Sequence, residues 1–116
     1  MTALAFARIG LLVVAFTLCS CVGDASVRVT FVNDVGSPIT VYPFGRDYPS
    51  SKLAIAPSDE KSMNVPIGTG QPSRTIARVE AVTSDDALVF CHVYAYAELL
   101  ELKSTVHVRT GVLDCA

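Results

Sequence analysis

The chain has 116 residues, enough for one domain and no more, and 51% of them are hydrophobic. Its 9 Lys and Arg against 11 Asp and Glu give a formal charge of −2, and beyond Arg8 the cations are scattered singly: Arg28, Arg46, Lys52, Lys61, Arg74, Arg78, Lys103 and Arg109. Displacing phosphate counterions takes clustered cations, so nucleic-acid binding is disfavoured, as is a basic patch for docking on an anionic membrane.

Much of the apolar content sits at the start. Arg8 is the only charge among the first residues up to Gly23, and Ile9–Leu18 (IGLLVVAFTL) is almost unbroken aliphatic and aromatic side chain. A membrane span, a buried helix and an export signal all begin in this way, and length decides among them. As a helix Ile9–Val22 reaches about 21 Å, short of the roughly 30 Å hydrocarbon core. Extending it backwards buries Arg8, at about 2.5–3.5 kcal/mol. A short cationic head, an apolar run and then small residues form the pattern of a cleaved export signal.

The segment ends in Leu18-Cys19-Ser20-Cys21. This resembles the lipobox of bacterial lipoproteins, in which Leu precedes a variable residue, a small residue and an obligatory cysteine. The resemblance covers the first 21 residues or so and assigns no family to the rest. It implies that Cys21 is joined by a thioether to diacylglycerol and that signal peptidase II cuts between Ser20 and Cys21. A soft thiolate nucleophile is needed to take the lipid. Two or more acyl chains, at about 0.8 kcal/mol per buried CH₂, hold a small domain stably on a membrane. On this reading residues 1–20 are a signal peptide that carries Cys19 away, residues 21–26 are the lipidated cysteine and a short tether, and residues 27–116 fold outside the cytoplasm. An ordinary cleaved signal and an uncleaved anchor remain the alternatives, and all three export the domain.

Beyond the signal the chain reads as short strands with frequent punctuation. SVRVTFVN (Ser26–Asn33) alternates Val27, Val29 and Phe31 against Arg28, Thr30 and Val32, a period of two. Asn33, Asp34, Gly36 and Pro38 supply turn chemistry. ITVYPF continues with Ile39 and Val41 on one face and Thr40 and Tyr42 on the other, and KLAIA (Lys52–Ala56) is a further short strand. SMNVPI places Met63, Val65 and Ile67 on one face, and Pro66, with no N–H to donate, marks it as an edge strand. After the loop Gly68–Ser73, Arg74–Thr83 and Ala87–Tyr94 flank Ser84-Asp85-Asp86 as a hairpin. Tyr96, Leu99, Leu100 and Lys103 then recur at helical spacing, which predicts a two-turn helix near residues 95–103 packing Tyr96, Leu99 and Leu100 on the sandwich end. Ser104–Thr110 and Gly111–Ala116 close the chain. Seven or eight such strands predict an all-β fold, a small antiparallel β-sandwich of about immunoglobulin size.

Cys91 falls mid-strand and Cys115 on the last strand. In an exported domain with a modest core they are expected to form a disulfide. Cys91, His92, His107 and Met63 are also the ligand types of a copper centre. Their placement argues against it: Cys91 and His92 are strand neighbours and leave opposite faces, and His107 sits between core-facing Val106 and Val108. Both histidines are expected on the surface, and no metal or cofactor is expected.

No catalytic constellation is visible: the chain has no Gly-x-Ser-x-Gly elbow and no His-Glu-x-x-His. Asp59-Glu60 and Asp85-Asp86 read as solvated turn carboxylates. The one stretch rich in recognition residues is VYPFGRDYP, where Tyr42, Phe44, Arg46 and Tyr48 sit in a proline-stiffened loop that could contact a glycan, a peptide or an envelope protein. The competing structural role is that Tyr42 and Phe44 cover the sandwich end while Arg46 pairs with Asp47 or another acid. The expectation is an extracytoplasmic lipoprotein, non-catalytic, serving as a structural or interaction module, with membrane lipid as its partner through Cys21.

Overall fold

The computed structural model describes residues 25–68 and 72–115. The signal expected over residues 1–20, the lipid site at Cys21 and the first part of its tether lie outside them. The described residues form eight strands: β1 (Ser26–Asn33), β2 (Ile39–Tyr42), β3 (Leu53–Ile55), β4 (Glu60–Pro66), β5 (Thr75–Thr83), β6 (Leu88–Ala95), β7 (Thr105–Val108) and β8 (Val112–Asp114). A 3₁₀ turn covers Pro49–Ser51, and a helix, α1 (Tyr96–Glu101), joins β6 to β7.

The strands form two sheets, ordered β4-β1-β7 and β3-β2-β5-β6-β8. They make the expected small β-sandwich. Period-two alternation is what builds it, because a strand with one apolar face has to bury that face against another sheet. Val29 and Phe31 of β1, Val65 of β4 and Val106 and Val108 of β7 are buried from one side. Ile39, Val41, Ile55, Ala77, Val79, Ala81, Phe90 and Tyr94 are buried from the other, with Leu99 of α1 in the same cluster. Each larger side chain in this layer contributes roughly 1.5–3 kcal/mol by leaving water.

Pairing is antiparallel for β1–β4, β2–β3, β2–β5 and β5–β6, but parallel for β1–β7 and β6–β8. The sheets are therefore mixed. The cause is the route of the chain after β6. It turns through α1, crosses to the three-stranded sheet as β7, and returns to the five-stranded sheet as β8. Residues 96–111 thus act as the long crossover that a parallel neighbour demands. Pro66 sits on edge strand β4, as its missing donor required.

The helix differs from expectation in its buried face. Leu99 is buried, Tyr96 is half-buried, and Leu100 is 52% exposed. A helix of six residues makes fewer than two turns, so a single residue reaches the sandwich. Among the described residues no helix is long and apolar enough to cross a membrane.

Candidate functional site

Polar chemistry collects at two places, one on the outer face of the five-stranded sheet and one where the two sheets part.

The outer site is built by the end of β2. Past Tyr42 the chain buries Pro43, and Phe44 makes an isolated bridge with Arg78 of β5 while resting half-buried against the core. Gly45 then takes φ +88°, a conformation other residues reach only with strain. That turn aims the Arg46 backbone N–H at Glu80 Oε2, which accepts it at 2.6 Å. Glu80 stands opposite Tyr42 and Cys91 in the register, and it is buried. An isolated buried carboxylate is costly, and this one is compensated from both sides. Arg46 Nε is 3.5 Å from Oε2, and an Arg78 terminal nitrogen is 3.7 Å from Oε1; both guanidinium groups are half-exposed.

Cys91 and Cys115 are paired as a disulfide, with Cα atoms 5.4 Å apart. Cys91 Sγ lies 3.8 Å from Glu80 Oε1, and with no thiol proton left this is a contact only. Arg78 also donates to the Cys115 carbonyl at 3.4 Å. The last strand is thereby fastened beside the buried carboxylate.

Of the four residues expected to bind, Phe44, Arg46 and Tyr48 line one open groove of ≈ 450 Å³, together with Gly45, Asp47, Arg78 and Glu80. Tyr42 is half-buried and does not line it. Their environments differ: Phe44 braces the core, Arg46 is engaged by Glu80 rather than Asp47, and Tyr48 is free in solvent at 63% exposure. The structural role and the recognition role are thus divided among the four side chains.

The second site is a cleft of ≈ 290 Å³ bounded by β6 (Phe90, His92, Tyr94), α1 (Glu98), β7 (Thr105, His107) and β8 (Val112, Asp114), with Leu102 and Arg109 at its margin. His92 is the residue that reasoning from sequence misplaced. It pairs with Val79, a core residue, so it stands on the inner face of β6 between Phe90 and Tyr94. Its side chain is 23% exposed rather than on the open surface. Nδ1 lies 2.6 Å from Asp114 Oδ1, and Nε2 lies 2.7 Å from Glu98 Oε2. The Tyr94 ring meets the imidazole edge-to-face, with centroids 4.4 Å apart.

The environment perturbs both rings. Partial burial by itself favours neutral His92, but the hydrogen bonds to Asp114 and Glu98, and the charges behind them, outweigh it and raise the imidazole above its ordinary value. Burial drives the Tyr94 phenol far upward, reinforced by the negative charges of Glu98 and Asp114 and opposed by Arg109. Tyr94 is therefore a neutral wall of the cleft and no phenolate nucleophile. His107 points outward as expected, with Nδ1 2.8 Å from Asp34 Oδ2.

The four residues weighed as copper ligands are not brought together. Cys91 is on the outer face of the five-stranded sheet in the disulfide and His92 on its inner face, while Met63 and His107 belong to β4 and β7, the two edges of the other sheet. Glu98 and Asp114 approach opposite nitrogens of one ring, so they cannot share an ion with it. Among the described residues no group of three or more His, Cys, Asp or Glu could hold a metal ion.

No family model, curated protein or solved structure gives a significant match to this chain.

Proposed function

We propose that the chain is a bacterial lipoprotein of the cell envelope, exported by its apolar leader, anchored through acylated Cys21, and acting as a non-catalytic structural or interaction module. The observation that carries this reading is the Cys91–Cys115 pair, which suits the oxidising side of a membrane and so agrees with the lipobox-like Leu18-Cys19-Ser20-Cys21. Mutual satisfaction of the ionisable groups supports a module without catalysis. Both ring nitrogens of His92 face carboxylates, and Glu80 is held by two arginines, so neither group is poised to act on a substrate. The groove at Phe44, Arg46 and Tyr48 is the surface for a glycan, peptide or envelope protein, with Tyr48 as its exposed anchor.

Mass spectrometry of the native N-terminus tests the anchor. A thioether-linked diacylglycerol on Cys21 is the expected result, and an unmodified start at any other residue overturns it. For the groove, a membrane pulldown is compared between the wild-type chain and Tyr48→Ala. Loss of a specific partner in the variant is expected, and an unchanged set of partners removes the groove from the proposal.

A further inference from the structure

The His92 cluster has a geometry that one protonation state satisfies and the other does not. Ionised carboxylates only accept hydrogen bonds. Contacts at 2.6 and 2.7 Å fall in the range of charge-assisted bonds, and both can be made together only if both ring nitrogens carry hydrogen. A neutral imidazole has one N–H, so it sets a lone pair against one of the two carboxylates. We infer that His92 is a proton-operated clasp: as imidazolium it links α1 through Glu98 and β8 through Asp114 to β6, and loss of the proton releases one of the two carboxylates.

Both elements are short and are also attached elsewhere: Cys115, next to Asp114, is in the disulfide with Cys91, and the Tyr96 and Ala97 N–H groups of α1 donate to the Arg74 and Pro72 carbonyls. β8 is three residues long, leaves Leu113 and Asp114 exposed, and pairs only with β6. α1 is six residues long, has Ala95 at its N-terminal cap with no side-chain hydrogen bond, and buries Leu99 alone. The clasp therefore sets how the side chains close the cleft between α1 and β8, while the disulfide and the backbone bonds keep both elements attached. Besides the two carboxylates, the titratable and charged groups that bound the cleft are Tyr94 from β6, His107 from β7, itself held by Asp34, and Arg109 beyond β7. Tyr94 makes a T-shaped ring contact with His92, and His107 is bonded to Asp34, so in this arrangement the two carboxylates are met by the His92 ring nitrogens.

The direction of the response follows. The folded value of His92 lies above the ordinary histidine value of 6.5. Its contribution is fully present below that unfolded value and is lost as pH rises through the folded one. Acidification closes the clasp and alkalinisation opens it.

The test is solution NMR of the full chain in detergent micelles, following the His92 ring nitrogens and the amides of α1 and β8 from about pH 5 to about pH 9. Both ring nitrogens are expected to be protonated at pH 6.5, and the amides of Tyr96–Glu101 and Val112–Asp114 are expected to shift with the His92 midpoint. Glu98→Gln and Asp114→Asn should each lower the proton affinity of His92 about tenfold, roughly the effect of one charge-assisted bond. A His92 midpoint at or below the ordinary value overturns the inference, as do amides of α1 and β8 that ignore the titration. The wild-type titration decides the matter even if a variant fails to fold.

Discussion

Asn33 ends β1 on the same face as Val29 and Phe31, where alternation puts a core residue, and it is only 1% exposed. Its side chain ties three segments together. Nδ2 donates to the Ser37 carbonyl at 2.8 Å and to the Ile55 carbonyl at 3.0 Å, and Oδ1 accepts from the Val35 N–H at 2.9 Å. Asn33→Ala removes all three bonds without disturbing the backbone bonds that Asn33 makes to Asp59 and Ser58. The bonds to Val35 and Ser37 are part-buried, so water can replace them at about 0.5–1 kcal/mol each. The Ile55 carbonyl is buried and stays unsatisfied, at about 1–3 kcal/mol. The sum is about 3 kcal/mol, which for a domain of this size lowers Tm by about 12–24 °C. Thermal unfolding followed by circular dichroism measures it, and a loss under about 1 kcal/mol refutes the assigned network. Asn33→Asp separates hydrogen bonding from packing. It keeps the acceptor for Val35 but turns the donor end into a carboxylate facing two carbonyl oxygens. The defect should be at least as large at neutral pH and should ease in acid, where a protonated carboxyl can donate again. Stability of the Asn33→Asp variant that does not change with pH would point to packing instead.

Reducing the Cys91–Cys115 disulfide, whose cysteines are 24 residues apart, should cost about 3.5 kcal/mol on the chain-entropy view; urea midpoints with and without reductant measure this, and equal midpoints contradict it. Glu80→Gln removes the charge that Arg46 and Arg78 share, and because both arginines can be solvated the loss should stop at about 1–2 kcal/mol. Trypsin should then cut faster after Arg46, and an unchanged rate would show that Glu80 does not hold the loop. Asp85 is held below the ordinary carboxylate range first by the hydroxyl of Thr83, which donates to it, so Thr83→Ala should return its carboxyl upward in a carbon-detected NMR titration, and no movement would assign the shift to the backbone alone.

The strands were legible because each depends on a local rule. Val27, Val29 and Phe31 alternate, Pro66 excludes an interior strand, and Ser84-Asp85-Asp86 breaks two long apolar runs into a hairpin that the register confirms. What alternation cannot carry is the order in which strands meet. The parallel pairs β1–β7 and β6–β8 depend on where residues 96–111 lead the chain, and no period in those residues encodes it. The helix shows the same limit. Tyr96, Leu99 and Leu100 share a stripe, but how much of a stripe is used depends on how long the helix runs against its neighbour, and here it runs for six residues.

The polar sites follow a related logic. Arg46 finding an acid could be anticipated from composition, yet the acid is Glu80, 34 residues away and on a strand whose alternation only hints that its outer face is covered. His92 had a readable signal that was outweighed by its residue type. It sits two residues from both Phe90 and Tyr94, so period two sends all three inward, whereas a histidine beside a cysteine suggests a metal ligand or a surface residue. The alternation was the stronger guide because it follows from backbone geometry, which admits no exception for polarity. Polarity then sets a different requirement: an inward histidine must find partners. Glu98 and Asp114 meet it from two elements that follow β6 closely enough to reach the cleft, a short helix and a strand brought back by the crossover. The parallel return of β8 is thus connected to the inward histidine, since an antiparallel strand at that edge would have to bring Asp114 to His92 from the opposite direction, away from the disulfide that holds its neighbour Cys115 to Cys91.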